Sequence, residues 1–566
     1  MKINLKLLAL IILCLVSFPL FSQNTYLELN LNDSQSSNPF IQSRSLLEIL
    51  TVIDRAANDK NIGGIVLVIG SINRSRDHLW ELRNALEQFK ESGKGICAFI
   101  SHADMDIYTL ASVADKIVMD ELGTMSMLGY SFSALFVRQT LEKLGIGVRE
   151  LRYFEYKSAG EMFSRNSRSE ADRRQMNDYI DDIFNLTRDT LMKARNWTAE
   201  EFDTIVNREF IFAPRNALQR NLVDYTGRTD VIHEAVNEIE GREINRYVIY
   251  GNSNSSITGA SSVYTSPRTG GFFNTPQTIA IVYANGQTDM EGGMNAILLS
   301  QTVIGLADNN RVKAIVLRIN SPGGSAEAAD YLAQAVLYAT QKKPVVVSMG
   351  NVAASGGYWA AVYASHIVAN PYTITGSIGV IGSWFYDSGL NSNLGVNVDI
   401  IQRGTHADLS AGFLFPYRDL NSHEESRYRH LLEDIYLSFI EKVSVGRNMG
   451  IDSVEAVAQG RIFSGTRALE AGLIDSVGSL TDAIRIAREL AEIPEGRSVR
   501  YDEYPKPTFM DKMLGRFPVM ARIFKGKSQP RATDFFMDMF IPDDIKYHLE
   551  RNGQILAILP LELSIR

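Results

Sequence analysis

From residue 278 onward the chain alternates two kinds of hydrophobic pattern. Thr278–Gly286 (TIAIVYANG), Lys313–Asn320 (KAIVLRIN) and Lys343–Gly350 (KPVVVSMG) are short runs rich in Ile, Val and Ala. Apolar runs of this length and β-branched content predict buried strands. Between them, Ala326–Thr340 (AEAADYLAQAVLYAT) has the period of a helix, and another helix is expected from about Ser355. Further on, Leu432, Ile435, Phe439 and Val443 fall on one face of a longer helix. Strand–helix–strand units of this size predict an α/β fold with parallel-rich sheets covered by helices.

The same pattern occurs earlier in the chain. Gly63–Ser71 (GGIVLVIGS) resembles Lys313–Ser321 (KAIVLRINS), and Ala111–Gly129 resembles Ala361–Gly379, both at an offset of 250. Phe210–Ile232 resembles Arg461–Ile484 at nearly the same spacing. Three blocks in one order at a near-constant offset identify two copies of one domain. The copies are expected over 24–250 and 278–495, joined by 251–277, whose Gly, Ser, Asn and Thr content is that of a linker. A chain of 566 residues exceeds a single core, and the duplication accounts for it.

The ends differ from this body. In residues 1–23, Lys2 and Lys6 precede an uncharged run, Leu7–Phe21, with Ser22 behind it. That is the layout of a secretory signal. The run falls short of the roughly 20 residues a spanning helix needs. Two fates fit: cleavage, or retention as a transmembrane helix anchored by its lysines. Leu13 stands where a lipoprotein signal before Cys14 has a small residue, which disfavours lipidation. Loss of the leader leaves Cys97 as the lone cysteine and excludes a disulfide framework or a cysteine-rich metal site. The extension 496–566 contains Lys506–Arg531, where basic residues interleave with Phe509, Met510, Met513, Leu514, Phe517, Met520, Ile523 and Phe524. This suits an interfacial segment on an anionic membrane, or a basic helix packed on its own domain or a neighbouring subunit. The net charge of −8 argues against a general nucleic-acid binder. Export and size together predict a bacterial envelope protein facing the periplasm.

Two turns in the second copy carry candidate chemistry. In Asn320–Asp330 (NSPGGSAEAAD) a strand ends, Pro-Gly-Gly turns, and a helix starts with Ser325 as N-cap. Backbone N–H groups at Gly323 and Gly324, unshielded by side chains, suit a developing oxyanion, although for the motif alone a plain tight turn into a helix is the simpler reading. In Val345–Ala361 (VVVSMGNVAASGGYWAA) Ser355 follows a strand and opens a helix, with Gly356 behind it. A-x-S-x-G lies one residue from the G-x-S-x-G nucleophile elbow, and small residues there also serve close packing.

The repeat discriminates between these readings. At the 250 offset Ser355 meets Met105, Gly356 meets Asp106 and Ser377 meets Met127, while the Gly-Gly turn has no counterpart after Ser71. Positions needed only for packing would persist in both copies; these do not. A serine nucleophile needs a base. His366, His406, His423 and His430 show no distinctive spacing. The first copy instead has Lys157 in Leu151–Phe163 (LRYFEYKSAGEMF), behind the expected strand Gly147–Tyr153, where the second copy has Ala407. Lysine ordinarily titrates near 10.4 and must be neutral to accept a proton. Burial in a dry cleft between the copies would achieve this; an exposed residue at a helix start is the alternative. Ser377 has the size to hold the amine by a hydrogen bond.

Ile319–Ser325 (INSPGGS), Ala353–Ala361 (AASGGYWAA), Ala369–Val380 (ANPYTITGSIGV) and Tyr156–Glu161 (YKSAGE) resemble the motifs of the signal peptide peptidase A family in its long, tandem-repeat form. The resemblance covers about residues 25–490. It implies two tandem crotonase-like or Clp-protease-like domains and a Ser-Lys dyad with no metal or organic cofactor. By that resemblance Ser355 is the nucleophile, Lys157 the general base and Ser377 the residue that orients it, with Gly323, Gly324 and Gly356 forming the oxyanion hole. It further implies a membrane-associated homotetramer at the inner membrane that degrades signal peptides left after secretion. The short, Pro19-interrupted N-terminal run departs from the family's longer apolar helix. Two other readings compete: a crotonase-like acyl-CoA enzyme, which export disfavours, and a non-catalytic scaffold, which the asymmetric loss of Ser and Lys disfavours.

Overall fold

A computed structural model describes residues 25–32, 45–70, 72, 74–250, 257, 262–264, 277–494, 496–506 and 551–559. The leader expected in 1–23 and the basic, apolar stretch expected after Lys506 lie outside the described residues. Among the described residues no helix is long and apolar enough to cross a membrane.

Each half holds a central sheet built from the apolar runs. In the first half β1 (Thr25–Asn30), β2 (Ile62–Ile69), β3 (Gly95–Ala103) and β4 (Lys116–Ser126) are parallel neighbours in that order. Tyr247–Tyr250 runs parallel to β1 on its other side. Residues 262–264, inside the expected linker, add a further parallel strand there. Their sequence, Ser-Val-Tyr, carries a β-branched and an aromatic residue suited to an edge. Between β2 and β3 runs helix α1 (Arg76–Glu91). A longer helix, α2 (Glu170–Arg195), follows a short strand, β5 (Ile146–Arg152), that lies outside this sheet.

The second half repeats the order. Strands β6 (Gln277–Asn285) and β7 (Val312–Ser321) are parallel neighbours, and Val499–Tyr504 flanks β6 as Tyr247–Tyr250 flanks β1. After Pro322 comes β8 (Gly323–Ser325), then helix α3 (Ala326–Thr340) and β9 (Val345–Ala354), which pairs with β7. Ser325 caps α3 by accepting the N–H of Ala328 at 3.3 Å, as its sequence predicts. The expected helix after Ser355 is a single turn, Gly356–Trp359. In α4 (Ser422–Arg447), Leu432, Phe439 and Val443 are buried and Ile435 is partly so.

The halves are joined by a third sheet, of four strands. Its order is β8, β11 (Ile555–Ile558), β10 (Ile381–Asp387) and β5, every neighbour antiparallel. Seven residue pairs link β10 of the second half to β5 of the first. A buried ion cluster reinforces the contact: Arg318 of β7 meets Asp77 and Glu81 of α1, each at 2.8 Å. Helix α2 also crosses the boundary, where the Tyr179 hydroxyl donates to Tyr372 O at 2.7 Å and Asp182 meets Arg467 at 2.7 Å. These contacts carry the end of β5, and the turn beyond it, to the end of β9.

Candidate active site

Ser355 follows β9 directly, in a backbone conformation of φ 56° and ψ −115° that costs about 1–3 kcal/mol for a residue with a Cβ. Its N–H donates to Gly376 O at 2.8 Å and its carbonyl accepts from Trp359 N at 2.8 Å, so both neighbours hold the strained turn. The glycines beside it are needed for close approach. A Cβ on Gly357 would lie 2.6 Å from Ser321 O, and one on Gly356 would lie 2.7 Å from Thr288 Oγ1. Packing and access therefore make the same demand at this motif.

Lys157 arrives from the other half. Strand β5 ends at Arg152, and the chain turns through a 3₁₀ segment, Ser158–Gly160, that begins directly behind Lys157. The Lys157 Nζ lies 2.6 Å from Ser355 Oγ, 2.9 Å from Ser377 O and 2.9 Å from Ser377 Oγ. All three side chains are fully buried. Burial alone holds the Lys157 amine well below the ordinary lysine value. Carboxylates on either side of it in the chain are engaged elsewhere: Glu155 pairs with Arg174 at 2.9 Å, Glu161 with Arg152 at 2.7 Å and, further on, Asp172 with Arg168 at 2.5 Å. A neutral amine has two N–H groups and one lone pair. With both N–H groups donated to the two Ser377 acceptors, the lone pair of the neutral form would face the Ser355 hydroxyl. This is the geometry in which an amine can take a serine proton.

The four histidines considered from the sequence make their contacts elsewhere. His366 meets Ser476 at 2.9 Å, His406 meets Glu424 at 2.7 Å and stacks on His423, and His430 is an exposed neighbour of Glu433. Among the described residues no cluster of three or more His, Cys, Asp or Glu side chains is arranged to hold a metal.

The predicted oxyanion glycines converge on the same spot. A Cβ on Gly323 would lie 2.8 Å from Gly356 N. Gly323 and Gly324 have φ of 99° and 151°, so side chains are disfavoured at both. In this state the Gly323 N–H donates to Ser321 Oγ at 3.2 Å, a long bond within the turn. Thr288 braces the turn: its N–H donates to Gly323 O and its carbonyl accepts from Ser325 N, both at 2.8 Å.

Several supporting residues give no signal in the sequence. Gln175 donates to Tyr156 O at 3.1 Å and accepts from Ile462 N at 3.2 Å, tying the lysine turn to the second half. Gly460, at φ 82°, leaves room for the lysine: a Cβ there would lie 2.6 Å from Lys157 N. Only the coordinates connect residues so distant in the chain. In the first half the matching positions are filled differently. Met105 and Met127 are buried in the core, and Asp106 binds Arg76 and the Tyr130 hydroxyl. Ala407, the counterpart of Lys157, lies exposed.

The chain is similar to known proteins across both halves. The pattern of Peptidase family S49 matches residues 88–241 and again 338–494. "Serine protease SPPA, chloroplastic" of Arabidopsis thaliana is 30% identical over 485 residues, 84% of this chain and 70% of its own. "Protease 4" of Salmonella typhi is 30% identical over 502 residues, 86% of this chain and 78% of its own. Among solved structures, a point mutant of ClpP1 from Listeria monocytogenes aligns over 36% of this chain and 94% of its own, at 14% identity and a TM-score of 0.25. With the family pattern falling once in each half and relatives aligned across both, the chain belongs to Peptidase family S49 and is a serine endopeptidase.

Proposed function

We propose that this endopeptidase degrades cleaved signal peptides and similar apolar peptides at a membrane, through a dyad of Ser355 and Lys157. The observation that carries the reading is the 2.6 Å approach of Nζ to Oγ in a buried pocket where, among the described residues, no neighbouring charge favours the ammonium. Neutral Lys157 takes the Ser355 hydroxyl proton as Oγ attacks the peptide carbonyl. Ser377 keeps the amine aimed. The oxyanion is received by backbone N–H groups of Gly356 and the Gly323–Gly324 turn, the Gly323 N–H releasing Ser321 to do so. One such donor is worth about 10²–10³ in rate. The Lys157 ammonium then protonates the leaving amine, and the neutral amine left behind activates the water that hydrolyses the ester.

The setting is also a proposal: the bacterial inner membrane, catalytic halves on the periplasmic side, assembled as a homotetramer. The basic start and apolar run of 1–23 support export. The repeat supports assembly. At the 250 offset β10 corresponds to 131–137 and β5 to 396–402, yet neither segment forms a strand. Leu135 and Ile401 within them are 62% and 89% exposed. Joining the 396–402 segment of one chain to the 131–137 segment of the next would repeat the internal β5–β10 contact, and a head-to-tail contact of this kind forms a ring when its rotation closes. Sedimentation of the full chain reads the assembly mass, and a monomer at all concentrations would rule the ring out.

The function is tested on a synthetic signal peptide with Ser355→Ala and Lys157→Ala, folding checked by circular dichroism. Both are expected to lose turnover by at least about 10³-fold while keeping their assembly. Turnover surviving in folded Lys157→Ala would place the base elsewhere.

A further inference from the structure

Helix α2 buries one neutral amide, and both ends of that amide are engaged. Gln175 is 3% exposed. Its Nε2 donates to Tyr156 O at 3.1 Å, to Ser158 Oγ at 3.2 Å and to Asp172 Oδ1 at 3.1 Å. Its Oε1 accepts from Ile462 N at 3.2 Å. Tyr156 and Ser158 are the residues on either side of Lys157. The partners fix which end of the amide faces which way, because a backbone N–H only donates and a backbone carbonyl only accepts.

Ile462 belongs to the scaffold of the two serines. It pairs with Gly376 across the antiparallel strands Ile374–Gly376 and Ile462–Ser464. Gly376 O accepts the Ser355 N–H at 2.8 Å, and Arg461 O accepts the Ser377 N–H at 2.7 Å. One side chain therefore bridges the turn that carries the amine and the strand pair that places both hydroxyls. The rest of α2 is docked by other contacts. Met176, Tyr179 and Ile183 pack with Ile374 and Ile462, and Asp182 accepts from Ser464 Oγ at 2.6 Å. The bridge is thus separable from the docking of the helix. The counterpart helix in the second half, α4, has the same 26 residues and ends at Asn448 as α2 ends at Asn196. Its sixth residue, the position of Gln175 in α2, is Arg427, which is exposed. The half that lacks the lysine thus offers solvent a charge where α2 buries the amide.

We propose that Gln175 is a positioning residue for the dyad: its amide sets the distance between the lysine turn and the strand pair behind Ser377, and so holds Nζ on Ser377 and within reach of Ser355 Oγ. The proposal rests on the reading of Ser355 and Lys157 as the dyad. An amide suits the position because it donates to one half and accepts from the other while carrying no charge. A carboxylate there would lose the bond to Tyr156 O and would stand against Asp172 Oδ1. An apolar side chain would take this acceptor from the buried Ile462 N–H. The reach matters as much as the chemistry. Nζ lies 2.6 Å from Ser355 Oγ and 2.9 Å from each Ser377 acceptor, and a misplacement on the order of 1 Å in a reacting group costs about 10²-fold in rate.

The experiment measures kcat and KM on an apolar fluorogenic peptide across a pH series, using the full-length protein with folding checked by circular dichroism. Gln175→Met keeps the volume and removes both bonds; Gln175→Asn keeps an amide that is one methylene too short to bridge. Neither changes the charges around the turn, where Glu155, Glu161 and Asp172 keep their arginines and Arg461 lies over the Tyr156 ring. Each variant is expected to lower kcat by at least about tenfold with KM held. The acidic limb of kcat/KM is expected to move to lower pH, since an ammonium displaced from Ser377 loses acceptors. Gln175→Met is expected to cost less in a Ser377→Ala background than in wild type, because part of what it aims at is already gone. A lowered urea midpoint with kcat and the limb unchanged, or losses that simply multiply in the double variant, overturns the positioning role and leaves the dyad standing. Turnover surviving in folded Lys157→Ala overturns the dyad and this proposal with it.

Discussion

Removing the Ser377 hydroxyl tests the claim that Lys157 works as a neutral base. In Ser377→Ala the backbone O at 2.9 Å from Nζ remains, and the Oγ at 2.9 Å is lost. Before proton transfer this hydroxyl accepts a bond from a neutral amine, worth about 0.5–1.5 kcal/mol; afterwards it accepts from an ammonium, worth about 1.5–3 kcal/mol. The difference, about 1–1.5 kcal/mol, stabilises the protonated base that forms as Ser355 attacks. Its loss lowers kcat by about tenfold, since each 1.36 kcal/mol is a factor of ten. KM is expected to hold, because Ser377 is assigned to the amine and not to substrate. The pH profile moves too. Burial already depresses the amine, so activity is present above its folded pKa and lost as pH falls through it. Removing an acceptor that favours the ammonium depresses it further, so the acidic limb of kcat/KM shifts to lower pH even as the plateau drops. The assay is kcat and KM on an apolar fluorogenic peptide across a pH series. An unchanged plateau and limb would refute the orienting role. A loss as large as that of Lys157→Ala would make the hydroxyl a member of the proton path.

Lys157→Met removes a buried amine whose pKa is depressed in the folded state and ordinary in the unfolded state. Between those two values the unfolded wild type binds the extra proton, so wild-type stability rises with pH there. The urea midpoint of wild type is expected to gain on that of inactive Lys157→Met as pH rises through this window, and a constant gap would refute the depressed amine. Arg318→Met strands Asp77 and Glu81 in the interface between the halves, where burial already raises the Glu81 pKa. A loss of about 3–5 kcal/mol in urea is expected, and a loss under about 1 kcal/mol would show that the cluster holds nothing together.

The parts of this fold that could be read in the sequence are the parts that occur twice. The apolar runs at β2 and β7 and the matching blocks beyond them fixed two copies of a parallel-rich sheet, because burial on both faces imposes one composition on each strand. Ser355, Ser377 and the glycine turn stood out because the other copy lacks them. What unites the copies was hidden. Strand β5 (IGVRELR) mixes apolar and charged residues without a regular period, and nothing in it names β10 as its partner. Arg318 reads as an interruption in an apolar run, and only packing brings Asp77 and Glu81 to it. The C-terminal ILAI is too short to distinguish a buried strand from a helix fragment. Sequence periodicity reports which faces are buried, and these three features depend on what buries them.

The division of the dyad between halves follows from what a neutral lysine requires. Its surroundings must exclude water and must offer no carboxylate to favour the ammonium. The first half meets both demands behind β5, where Arg152 and Arg168 engage Glu161 and Asp172, and the second half closes over the turn with Gly379 and Gly460. The counterpart site in the second half fails on both counts. Ala407 is exposed, and its neighbour Asp408 belongs to an ion network with Arg418 and Glu424. A lysine placed there would stay charged. On the proposed dyad Ser355 takes its base from across the boundary, which would make the β5–β10 pairing part of the catalytic apparatus: weakening that pairing should move Nζ away from Oγ before it unfolds either half.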